Sequence, residues 1–145
     1  MVALAHQQWQ QFERQLAELL PASRRIDDLS RRLAFSTDAS FYHKVPKLVV
    51  QVATLAELQS LVRLAQSCQV ALTFRAAGTS LSGQAISDSV LVLLTPDWQR
   101  VEILDNGAAV RLQAGVIGAE ANRQLAVYGR KMGPDPASIN TCKVA

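Results

Sequence analysis

Apolar positions in the first twenty residues recur close to a helical repeat: Leu4, Trp9, Phe12, Leu16, Leu19 and Leu20. Pro21 ends that helix, because proline has no N–H to donate and its ring clashes with the preceding turn. A second short helix is predicted over "RRIDDLSRRLAF", residues 24–35. From Lys47 the period changes. "LVVQVA" is apolar and β-branched, which predicts a strand. "TLAELQSLVRLAQSCQ" then sets Leu55, Leu58, Leu61, Val62 and Ala65 on one helical face, with Thr54 as N-cap and Glu57 completing a capping box. "VALTF" is strand again, so the three segments form a βαβ unit with parallel strands.

Beyond residue 85 the pattern stays mixed. "DSVLVLL" predicts a buried strand, and "RVEILDNGAAVRLQAG" a hairpin turning at Asn106-Gly107, a pair suited to the positive φ angles of a type I′ turn. "IGAEANRQLAVYG" predicts a short helix with Gly129 as its C-terminal cap. The expected class is α/β (α+β): N-terminal helices over residues 1–34, then a βαβ-containing subdomain over 35–145 with a mixed sheet and a β-hairpin.

Composition narrows the picture slightly. The 145 residues are 49% hydrophobic and 19% charged, as in a globular domain rather than a disordered segment. The net charge of +3 is spread along the chain, which argues against a nucleic-acid partner. Neither a membrane-spanning run nor a secretory leader is evident. Cys68 and Cys142 have no metal-ligand spacing, and we expect reduced thiols in the cytoplasm. His6, alone among glutamines, carries no signal.

Candidate chemistry is concentrated in "FRAAGTSLSGQA", residues 74–85, which follows a predicted strand where α/β sheets bind ligands. Gly78 and Gly83 permit close backbone approach and positive φ, and successive N–H groups in such a turn form an anion nest. Thr79, Ser80 and Ser82 add hydroxyls, and residues 75–84 contain no acid. Neither the G-x-G-x-x-G fingerprint nor the G-K-[ST] loop is present. On residues alone the loop is either a phosphate cradle or a polar connector. A second segment, "GRKMGPDPASIN", brackets Asp135 with Pro134 and Pro136 and places Ser138 close behind. It is either a rigid presenting turn or a surface turn.

Together these segments resemble a known family. "RAAGTSLSGQA" is similar to the pyrophosphate loop of the FAD-binding domain shared by vanillyl-alcohol oxidase and flavin-linked hydroxy-acid dehydrogenases, and "GPDPAS" resembles that family's second flavin-contacting turn. With "STDASFY" (residues 36–42), the pattern looks most like the bacterial D-lactate dehydrogenases that pair an FAD domain with a cysteine-rich iron–sulfur region. Glycolate oxidase subunits and D-2-hydroxyglutarate dehydrogenases are similar as well. The resemblance covers about four-fifths of the chain.

The resemblance implies that Arg75, Ala76, Ala77, Gly78, Thr79, Ser80, Gly83 and Gln84 surround the FAD pyrophosphate. It leaves open whether Arg75 faces phosphate or packs on the sheet. Pro134, Asp135 and Ser138 would approach the flavin or its ribityl chain. Covalent members use a histidine in or near the loop; with only His6 and His43 present, non-covalent FAD is expected. No catalytic or metal-binding residue is assigned.

The family's Gly-Gly pair, its substrate domain and its cysteine clusters do not occur in these residues, so we expect the N-terminal part of a longer enzyme, inactive alone. That enzyme would oxidise an (R)-2-hydroxy acid, D-lactate to pyruvate, and pass electrons to iron–sulfur, quinone or cytochrome acceptors. It would be cytoplasmic or peripheral on the inner membrane face. The alternative is a non-catalytic α/β module that binds a phosphate ligand or a partner protein.

Overall fold

A computed structural model of the chain describes residues 2–144. Helix α1 spans Val2–Leu19 and stops before Pro21, as its repeat predicts. Phe12, Leu16 and Leu20 are fully buried, with Trp9 and Leu19 packed beside them; the side chain of Leu4 lies outside the described residues.

Arg24 ends a 3-10 turn (Ala22–Arg24) and residues 25–28 are not helical, contrary to expectation. Arg25–Ile26 form a short strand, β1, paired antiparallel with Val50 and Val49. Two neighbours explain the difference. Asp28 caps the helix that follows, α2 (Leu29–Leu33), by accepting from the Arg31 N–H at 2.9 Å. Upstream, Arg24 holds Glu57 by two bonds of 2.7 and 2.8 Å, tying the chain to the first turn of helix α3 (Leu55–Ser67). Those bonds, with backbone N–H groups at Ala53 and Thr54, outweigh burial and bring the Glu57 carboxyl down to about 2.

The main sheet contains β2 (Leu48–Val52), β3 (Leu72–Arg75) and β4 (Val90–Leu94) in the order β1-β2-β4-β3. β2 and β3 are both parallel to β4, which lies between them. The βαβ unit is therefore real, but a later strand fills its gap. Strands buried on both faces read as continuous apolar runs. Val50, Val52, Val90 and Val92 face α1 and α3 (Leu55–Ser67), while Val49 and Leu91 meet Ile26 and Phe35 on the other side. Each such side chain stabilises the fold by about 1.5–3 kcal/mol.

Thr54 caps α3 as expected, accepting from the Glu57 N–H at 3.2 Å. The buried face of α3 is Leu61, Leu64 and Ala65; Leu55 and Val62, expected on it, are exposed. Leu55 sits in the first turn, before the helix lies over the sheet, and Val62 falls on the solvent side of the Leu61–Ala65 stripe.

The hairpin pairs β5 (Val101–Leu104) with β6 (Ala109–Leu112). Its turn is longer than the two-residue form expected: Asp105, Asn106 and Gly107 all take positive φ. Gly107 lies against Tyr128, whose Cβ would be 2.6 Å from an added Cβ, so the turn needs glycine there. Helix α4 (Gly118–Leu125) runs into a 3-10 turn closed by Gly129 at φ 65°. Trp98 is buried and donates its indole N–H to Val52 O at 3.0 Å.

Candidate functional site

The glycine-rich loop is the connection between two adjacent parallel strands. β3 ends at Arg75 and β4 begins at Val90, so residues 76–89 make the crossover, about the minimum length such a connection needs. No helix occurs within it. The loop therefore emerges at the carboxyl end of the sheet with its backbone groups unused by secondary structure.

Its first half is held from behind. Arg75 Nη1 donates to Thr37 O at 2.7 Å and to Ala85 O at 3.1 Å, and its guanidinium lies 5.8 Å from the centre of the Phe35 ring. The Arg75 side chain thus packs behind the loop and braces it. Burial lowers its pKa, partly offset by the Asp38 charge. Asp38 completes the brace, accepting from Ser40 N at 2.9 Å, from Ala85 N at 3.3 Å and from the Ser40 hydroxyl. Burial raises the Asp38 pKa, but these donors and Arg75 outweigh it and hold the carboxyl below its ordinary range. Ala39 N donates to Gly78 O at 3.1 Å. The segment "STDASFY" is thus the loop's rear wall, and Asp38 is the residue in it that sequence reasoning did not single out.

The front of the loop is open. Ala76, Ala77, Gly78, Thr79, Ser80 and Gln84 line a cavity of about 430 Å³ together with Phe74, Ala85 and Lys143. Among the described residues, no acceptor pairs with the backbone N–H groups of Ala76, Ala77, Gly78, Thr79 or Ser80. The lining contains no carboxylate. Gly78 takes φ 74°, and a Cβ there would lie 2.7 Å from Arg75 Cζ, so brace and loop fit only with glycine. Ser80 Oγ accepts from Ser82 N at 3.2 Å and Gln84 N at 3.3 Å and donates to Gln84 Oε1 at 2.6 Å, closing the turn. Unpaired N–H groups around a carboxylate-free hollow suit an anion, and a dinucleotide's diphosphate fits that donor set.

Gly83 is not in this hollow. At φ 73° it lies against the Tyr42 ring, whose Cδ2 would be 2.8 Å from an added Cβ. With Tyr42, His43, Lys44 and Ser82 it lines a separate hollow of about 270 Å³ on the loop's outer flank. His43 is thus near the loop but outside the cradle.

The second segment is placed differently. Pro134 borders a cavity of about 350 Å³ with Gly118, Met132, Ile139 and Lys143. Asp135 is exposed and pairs with Lys131 at 3.2 Å. The Ser138 carbonyl accepts from Thr141 and Cys142 N–H at 2.8 and 2.7 Å. What docks this segment is α4, whose first turn has no side-chain cap: Gly118 N donates to Cys142 O at 3.1 Å and Ala119 N to Ile139 O at 2.9 Å. Lys143, bridged to Ile117, then borders both this cavity and the glycine-loop cavity. Sequence reasoning missed Lys143, since nothing local marks it.

Among the described residues, no His, Cys, Asp and Glu side chains gather to hold a metal ion, and no helix is long and apolar enough to cross a membrane. Cys68 is buried and Cys142 half-buried, both as free thiols.

The architecture is that of the flavin domain of FAD-linked oxidases. It aligns with alkyldihydroxyacetonephosphate synthase at a TM-score of 0.73 and 22% identity, over 92% of this chain and 27% of that one. It also aligns with 4-ethylphenol oxidase from Gulosibacter chungangensis at a TM-score of 0.69 and 17% identity, over 95% and 28%. The FAD binding domain family matches residues 46–145, and the chain belongs to that family. In sequence it is 32% identical over 113 residues to the D-2-hydroxyglutarate dehydrogenase of Escherichia coli (strain K12), covering 75% of this chain and 11% of that protein. It is 27% identical over 107 residues to glycolate oxidase subunit GlcD of the same organism, covering 72% and 21%. The chain thus spans about a tenth to a fifth of the length of these relatives.

Proposed function

We propose that this chain is the cofactor-binding part of a flavin-dependent dehydrogenase that oxidises an (R)-2-hydroxy acid to the 2-oxo acid, with FAD held non-covalently. The observation carrying the proposal is the braced loop whose unpaired N–H groups surround a carboxylate-free cavity, in a chain of the FAD-binding family. The backbone from Ala76 to Ser80 donates to the diphosphate, and the Thr79 hydroxyl adds to it. Gln84 closes the near rim through Ser80, and Gly83 supports the turn against Tyr42. Pro134, Asp135 and Ser138 approach the flavin end. FAD, when bound, supplies the two-electron acceptor for the oxidation; the protein's part is orientation and electrostatics.

The relatives' names point to D-2-hydroxyglutarate and glycolate; the motif pattern alone suggests D-lactate. All are 2-hydroxy acids, and the two chiral ones share the D configuration. Electrons leave through iron–sulfur, quinone or cytochrome acceptors. His43 borders the hollow beside Ser82 and Gly83 and not the cradle itself, and release of the flavin by acid decides between the two modes of binding.

The test is the visible spectrum of the full-length protein before and after anaerobic addition of D-lactate, D-2-hydroxyglutarate or L-lactate, followed by acid precipitation. A flavin spectrum bleached by a D-hydroxy acid and not by L-lactate, with the flavin released into the supernatant, is expected. A yellow pellet would overturn non-covalent binding. A colourless protein that takes up no added FAD would leave the loop as a polar connector.

A further inference from the structure

Five loop N–H groups make a neutral cradle. A diphosphate carries about two negative charges, and a neutral nest leaves those charges to be balanced elsewhere. Arg75, the cation nearest in sequence, is committed to Thr37 O and Ala85 O behind the loop. Among the described residues, one cation borders the cavity: Lys143, delivered from beyond the second segment. Its backbone is fixed on both sides. Cys142 O accepts from Gly118 N, and Val144 N donates to Val116 O at 2.9 Å. Among the described residues Lys143 forms no ion pair.

From this placement we infer that Lys143 is the charge-neutralising residue of the cofactor cradle, and that it couples the second segment to the glycine loop through the diphosphate. The inference rests on the FAD reading above and assigns a role to a residue outside both motifs. Lys143 is a positioning and affinity residue, since its distance from any reacting atom is not at issue.

Deflavinated full-length protein would be titrated with FAD at two salt concentrations, comparing wild type, Lys143→Met and Lys143→Arg. Methionine keeps the aliphatic stem and removes the charge. Loss of one charge-assisted contact predicts affinity weakened about ten- to a hundred-fold in K143M, a shallower salt dependence, and near-complete rescue in K143R. Equal affinity and salt dependence in K143M would overturn the inference while leaving the cofactor reading intact. Failure of wild type to bind FAD would instead overturn the cofactor reading. A measurement on wild type alone avoids any folding defect: acylation of Lys143, read by peptide mass spectrometry, should be suppressed when FAD is bound. Unchanged acylation would also count against the role.

Discussion

The two segments with the most suggestive composition, residues 76–84 and 134–138, differ in what they are built to present. In the first, the groups left without partners are backbone amides, and small residues are enough to expose them. The brace from Arg75 and Asp38 fixes their direction, and the cavity forms in front. In the second, the groups of interest are side chains, and two prolines fix the backbone without deciding where those side chains go. Asp135 reaches Lys131 at the surface, and the cation at the cavity comes from beyond the segment, Lys143. Glycine content can reveal a backbone site; proline content reveals rigidity and leaves direction to packing.

The largest break of this contrast is Gly78→Asp in the full-length enzyme. A non-glycine residue in the left-handed region costs about 1–2 kcal/mol. The new Cβ must also displace the Arg75 guanidinium, which is pinned by two carbonyls, and a carboxylate arrives beside the cradle. The variant is expected to purify without flavin. Normal flavin content after purification would refute the cradle.

Arg75→Met is the next largest. It leaves Thr37 O and Ala85 O without their charged donor, and each bond of this kind contributes about 1.5–3 kcal/mol. Because the role is bracing, the melting temperature of the apoprotein should fall by several degrees, with FAD affinity reduced in consequence. Weakened FAD binding with an unchanged apoprotein melting curve would instead make Arg75 a phosphate ligand.

Much of the frame was legible because its signals are local. Pro21 ended α1, Thr54 capped α3, Gly129 closed the last helix, and the apolar runs at 48–52 and 90–94 became strands buried on both faces. The misreadings came from partners distant in sequence. Residues 25–26 became an edge strand because β2 offered a free side and Glu57 held Arg24. The hairpin turn runs over residues 105–108, with Gly107 against Tyr128. The place of β4 between β2 and β3 is a tertiary pairing that the local pattern did not address. The site divides the same way. The loop was visible as a run of glycine and hydroxyl residues, whereas Asp38 and Lys143 join it only through tertiary contacts.

The smallest expected effect sharpens the contrast most. Asp135 and Lys131 form an ion pair four residues apart, with side-chain exposures of 55% and 67%. Exposed pairs of this kind contribute about 0.2–1 kcal/mol, so Asp135→Asn should leave the melting temperature nearly unchanged. If Asp135 helps orient the flavin end, FAD affinity should still fall, by less than about ten-fold, because one side-chain contact is lost and the backbone cradle is intact. Titration calorimetry of the deflavinated full-length protein measures both ends of that range. A loss of flavin comparable to that of Gly78→Asp would move the weight of binding to the second segment. No change at all would confine Asp135 to its surface pair and leave Pro134, beside Lys143, as that segment's link to a cavity.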